Sequence, residues 1–139
     1  MATGGYEVAA QERALAHALI DNAGFDIVHG HSSHHPKPIE IHDGRLILYG
    51  CGDFLTDYEG ITGYEGFRGD LALMYLPRLA MPEGTLVSLD LVPFRLRKFQ
   101  LNRAPPEDAG WLAAMLEREC SPFGTHVMLG TDRRLAVLW

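Results

Sequence analysis

Four of the seven histidines of this chain fall within seven residues: His29, His31, His34 and His35. Neutral imidazole is the commonest side-chain ligand for borderline divalent metals, so such a cluster points first to metal binding. His31 and His34 form the best pair. Gly30 ahead of them permits a sharp turn, and the intervening Ser32-Ser33 lets both rings converge on one point. A catalytic zinc-like centre takes about three protein ligands plus water, so this pair alone does not close a site. His29 and Asp26, on the strand leading into the loop, read as core residues or as groups that orient the ligands. The plainer alternative is a polar surface loop that happens to be histidine-rich.

The elements on either side must hold that loop. Residues Glu7–Asn22 carry a helical pattern, with Val8, Leu15, Leu19 and Ile20 as its apolar stripe and Gly24 as its stop. Phe25–His29 reads as a buried strand that empties into Gly30. A helix feeding a strand whose end carries the chemistry is an α/β habit. Pro38–His42 and Arg45–Tyr49 read as two strands joined by Asp43-Gly44, the strongest short hairpin signal. Gly50 and Gly52 then suggest positive φ or close backbone approach. Thr56–Gly69, rich in glycine and tyrosine, reads as a loop over the site.

Further on, Leu71–Leu79 and Val87–Leu101 are expected as strands, with Pro82-Glu83-Gly84 between them and Pro93 marking a bulge or an edge. Pro106–Glu119 is expected as a helix with Trp111, Leu112, Met115 and Leu116 on one face. His126–Leu129 and Leu135–Trp139 close the chain as a hairpin. No internal repeat is present.

Composition narrows the function classes. Apolar residues make up 47% of 139, enough for a packed core. The net charge is −6, with Lys37 and Lys98 the only lysines and ten scattered arginines, which argues against nucleic acid as a partner. Arg95, Arg97 and Lys98 form one basic knot, more simply a solvated strand face than an anion site. Cys51 and Cys120 fit no zinc spacing and are expected as thiols in a reducing compartment, with a disulfide left open. No export signal opens the chain, and no stretch approaches the ~18 apolar residues of a membrane span. The expectation is a soluble, cytoplasmic chain.

The stretch DIVHGHSSHHPKPIEIHDGRLILYGCGDF, from Asp26 to Phe54, resembles the bacterial capsule-synthesis CapA-like, or poly-γ-glutamate biosynthesis, family. The pattern is a hydrophobic strand, G-H-x-x-H, a hydrophobic-Glu pair, an Asp-Gly turn, a second hydrophobic strand and a small loop ending G-N-F or G-D-F. Looser similarity continues through Tyr64-Glu65-Gly66-Phe67-Arg68 to about Arg103. That family is similar to the calcineurin-type metallophosphoesterases.

The resemblance implies the C-terminal half of a metallophosphoesterase-like α/β/β/α sandwich, with mixed to antiparallel strands and two main helices. It implies His31 and His34 as ligands of a divalent metal (Mn, Zn, Fe or Mg) and His35 as a catalytic group. His29, Asp26, Asp53 and Arg68 would stand behind the ligands or line the substrate. Asp53 occupies a position where the family commonly has Asn. The earlier Asp-x-His, Gly-Asp and Gly-Asn-His motifs of such domains do not occur before Ala23. Residues 1–139 are therefore expected to be one partial domain, inactive as a hydrolase alone. An anionic polymer or phosphoryl-like compound is the implied substrate class. A missing upstream half or a second copy is the implied partner. The alternative is a non-catalytic binding remnant, or a subunit completed by a partner chain.

Overall fold

The computed structural model describes residues 5–31, 33–56 and 65–139. Helix α1 spans Ala10–Asp21, later than the sequence pattern suggests. Ala16 and Ile20, one turn apart, are its buried residues, whereas Leu15 is exposed. The helix therefore packs through small residues beside its stripe. Gly24, at φ 75, ends it, with its N–H bonded to the Ile20 carbonyl.

Strand β1 is short, Ile27–His29, with Phe25 left exposed before it. Strands β2 (Ile39–His42) and β3 (Arg45–Leu48) form the expected hairpin, and Asp43 and Gly44 both adopt positive φ (47 and 71). Both central residues in that region is what a two-residue hairpin turn with the right twist requires. The first sheet has the order β1-β3-β2, with β1 parallel and β2 antiparallel to β3.

Both faces of this sheet are covered. Ile39, Leu46 and Leu48 point into the main core, while Ile47 and Tyr49 pack against Ala16 and Ile20 of α1. Two-sided burial explains why β3 and its end, Leu46-Ile47-Leu48-Tyr49, read as a continuous apolar run.

The second sheet holds β4 (Leu71–Leu79), β5 (Leu86–Arg97), β7 (His126–Leu129) and β8 (Leu135–Leu138) in the order β4-β5-β8-β7, with β6 (Gln100–Arg103) also paired to β5. The expected single strand Val87–Leu101 is a hairpin instead. Lys98 and Phe99 turn the chain at φ 50 and 60, without the Asn or Gly that usually announces such a turn. Pro93 lies inside β5, in the gap between pairing with β8 and pairing with β6. Its carbonyl accepts from Ala104 on that side, so its missing N–H costs no ladder bond. The register shift lies elsewhere, between Arg78 and Leu79 opposite Leu86–Ser88.

Helix α2, Pro106–Cys120, packs against β5 and β7. Its Leu112, Met115 and Leu116 join Leu71, Leu89, Leu91, Leu135 and Val137 in the core shared with the first sheet. The described residues form a mixed α/β sandwich of two α-helices and two mostly antiparallel sheets. Of the loop expected at Thr56–Gly69, residues 57–64 lie outside the described residues. A 3-10 turn at Glu65–Phe67 follows them. Both cysteines are free thiols.

Candidate functional site

The histidine loop leaves the C-terminal end of β1 and returns as β2. Gly30 extends the β1 ladder, its N–H bonded to the Leu48 carbonyl at 2.7 Å. Its φ is not positive. Glycine is needed because a Cβ there would overlap the Tyr49 carbonyl oxygen. The returning arm stays zipped to the end of β3. Tyr49 bonds to the Pro38 carbonyl, Lys37 bonds to the Gly50 carbonyl, and a last bridge joins Pro36 to Cys51. The expectation for the glycines of this strand end holds at Gly52, which has φ 70 and lies against the His35–Pro36 backbone, whereas Gly50 is crowded only by the Ser33 and Lys37 side chains.

This register sets the histidine loop beside residues Gly50–Asp53. His34 reaches across, and its Nδ1 lies 2.7 Å from Asp53 Oδ2. An ionised carboxylate only accepts, so Nδ1 carries the hydrogen of this bond. His34 is half exposed, and His31 lies exposed on the same loop. His29 is exposed on β1, so its expected place in the core is corrected: only Ile27 and Val28 of that strand pack inward.

His35 faces the other way. It is buried, stacked on Phe67 at 4.5 Å and met edge-on by Tyr6 at 5.0 Å. Its Nε2 donates to the Gly5 carbonyl at 3.2 Å. Burial holds its pKa below the usual histidine value, against the opposing pull of that carbonyl, and the neighbouring Lys37 and His34 lower it further.

Asp26 and Arg68 are not brought to the loop. Asp26 precedes β1, at the end away from His31, where its carboxylate sits against Gly84 and 3.8 Å from Arg45. Arg68 turns toward the start of α2. It forks onto Asp70 with two bonds of 2.9 Å, reaches Asp108 at 3.0 Å, and lies over the Trp111 ring. Arg95, from the basic knot, completes this network on Asp108 at 3.3 Å. The bidentate bond from Arg68 holds the Asp70 carboxyl below its ordinary range, and burial opposes it.

One group that the residue pattern left without a role is Glu40. It is buried, and it accepts from Arg13 at 2.7 Å, His17 at 3.1 Å and Tyr49 at 2.5 Å. Burial pushes its carboxyl up, but the three hydrogen bonds outweigh that and hold it low. The signal was a glutamate between Ile39 and Ile41, on the strand face that turns to α1. His17 also stacks on His42 at 3.8 Å, and His42 bonds to Asp21.

Imidazole and carboxylate donors suit a borderline divalent metal. Among the described residues, however, no group of three or more His, Cys, Asp or Glu side chains stands ready to share one ion. Nor is any helix among them long and apolar enough to cross a membrane.

Comparison with known proteins bears on what this loop belongs to. Residues 2–58 match the family described as bacterial capsule synthesis protein PGA_cap. Probable polyglutamine synthesis accessory proteins of two Mycobacterium tuberculosis strains are 49% identical over 134 residues, covering 96% of this chain and 35% of each relative. The PGA biosynthesis protein CapA of Bacillus subtilis is 45% identical over 47 residues, 34% of this chain and 12% of that protein. The chain thus spans about a third of the length of the mycobacterial relatives it matches. It resembles the C-terminal part of the CapA-like bacterial capsule-synthesis family, the likeness already carried by its histidine loop and Asp-Gly hairpin.

Proposed function

We propose that this chain is the C-terminal part of an accessory protein of poly-γ-glutamate capsule synthesis, and that its histidine loop supplies His31 and His34 to a divalent-metal site. The reading rests on one observation. Backbone bonds from Gly30 to Leu48, from Lys37 to Gly50 and across Pro36–Cys51 pin both ends of the loop to the end of β3. A loop held this way presents its two histidines at the strand end in a fixed frame, as a ligand pair needs. The remaining ligands would come from outside this chain, as a relative-length CapA-like protein allows. A divalent metal, when bound, supplies Lewis-acid polarisation of a phosphoryl or carboxyl group, the chemistry of the metallophosphoesterase-like reading. The chain's own residues have narrower tasks. His31 and His34 bind, and Asp53 stands behind His34. His35, shut in by Tyr6 and Phe67, fixes the loop's second half rather than exchanging protons with a substrate. The substrate class is an anionic polymer or a phosphoryl-like compound.

Titration of the chain with Mn²⁺, followed by paramagnetic broadening of imidazole resonances, tests the metal reading. Broadening should centre on His31 and His34 and fade in His31→Ala and His34→Ala. Broadening that ignores both substitutions would reject it.

A further inference from the structure

Building on the reading of His34 as a metal ligand, we propose that Asp53 is a positioning residue that selects the His34 tautomer and so places the ring's lone pair on Nε2. A neutral imidazole has one N–H and one lone pair, and it ligates through the lone pair. In water a histidine side chain favours the tautomer with hydrogen on Nε2, which would leave the lone pair on Nδ1, close to the backbone. The Asp53 carboxylate, 2.7 Å from Nδ1, reverses that preference, because it can only accept and so requires the hydrogen on Nδ1. A ligating histidine whose second nitrogen donates to a carboxylate gains both a fixed ring orientation and a more basic lone pair.

The placement of Asp53 is built rather than incidental. Cys51 is bridged to Pro36, two residues beyond His34. Gly52, at φ 70, lies with its would-be Cβ 3.1 Å from the His35 carbonyl carbon and 3.2 Å from the Pro36 nitrogen. Only glycine passes this point easily, and it delivers Asp53 to the level of His34. The two partners are thus tied through backbone, nineteen residues apart in sequence.

Long-range ¹H–¹⁵N spectra of the 139-residue chain at about pH 8, where imidazole is neutral, read the tautomer directly. His34 should carry its hydrogen on Nδ1 in the wild type. It should keep it in Asp53→Asn, whose amide oxygen still accepts, and move it to Nε2 in Asp53→Ala. The Mn²⁺ concentration that half-broadens His34 should rise about 10-fold or more in Asp53→Ala, in line with the usual loss on removing such a partner, and less in Asp53→Asn. An unchanged Nδ1 tautomer in Asp53→Ala would overturn the proposal, as would a switched tautomer with no change in the Mn²⁺ midpoint. Failure of the underlying metal reading shows separately: His34→Ala would leave the Mn²⁺ response unaltered while the wild-type tautomer stayed on Nδ1.

Discussion

Tyr49 donates its phenolic hydrogen to Glu40 at 2.5 Å, between the first sheet and α1. Both side chains are buried, and the same carboxylate also takes Arg13 and His17, so one acid ties the helix to two strands. Tyr49→Phe removes one charge-assisted bond and should cost about 1.5–3 kcal/mol in urea unfolding. Arg13→Ala should cost about 1 kcal/mol or less, because the Arg13 side chain is 45% exposed and water replaces much of its contact. Equal losses in the two variants would show that Glu40 does not depend on the buried phenol.

Acid should loosen the fold through the same carboxylate and through Asp70. Both are held below their ordinary values of 4.5 and 3.8 in the folded chain. A carboxyl depressed on folding adds stability that is present above its unfolded pKa and lost as pH falls through its folded pKa. The share of stability carried by these two carboxyls should therefore be flat above about pH 5 and fall progressively below about pH 4.5. Glu40→Gln should reduce that slope while lowering stability at neutral pH. A slope identical in the two proteins would place the acid sensitivity elsewhere.

His35 and His34 should separate in thermal unfolding. Emptying the space between Tyr6 and Phe67 with His35→Ala should cost about 2–4 kcal/mol. His34→Ala, at a half-exposed loop position, should stay within about 0.5 kcal/mol. A His35→Ala protein as stable as wild type would return His35 to the candidates for proton transfer.

Gly30→Ala places a methyl group against the Tyr49 carbonyl, which belongs to the backbone and cannot swing aside. Gly50→Ala meets the Ser33 hydroxyl and the Lys37 stem, which can move. The first should cost about 2 kcal/mol more than the second, from the strain of displacing the β1–β3 ladder. Comparable costs would mean that the loop, not the strand, yields.

Much of this arrangement was legible in the residues, because local chemistry and tertiary packing agreed. Asp43-Gly44 forms the turn its type favours, and Pro106 opens α2 with Leu112, Met115 and Leu116 inward. Where they disagreed, packing won. Lys98 and Phe99 turn the chain despite their Cβ atoms, since pairing Leu96 with Leu101 outweighs a local cost of about 1–2 kcal/mol per left-handed residue. Leu15 matches the apolar stripe of α1 yet stays exposed, because Ala16 and Ile20 let the helix approach Ile47 and Tyr49 closely. In the site, the pattern marked His34 and Asp53 but not their bond. It could not tell which histidine faces outward, since that is decided by Phe67 and Tyr6, distant in sequence from the loop.

The pairing of His31 and His34 as ligands is tested most directly by calorimetric titration with Mn²⁺ or Zn²⁺. The protein to use is the mycobacterial relative with its matching third replaced by this chain. We expect binding that is lost or weakened at least about 10-fold in His31→Ala and in His34→Ala, and unchanged in His42→Ala, whose ring is stacked on His17. Equal affinity in all four proteins would contradict a metal role for the loop and leave its histidines as a solvated surface feature.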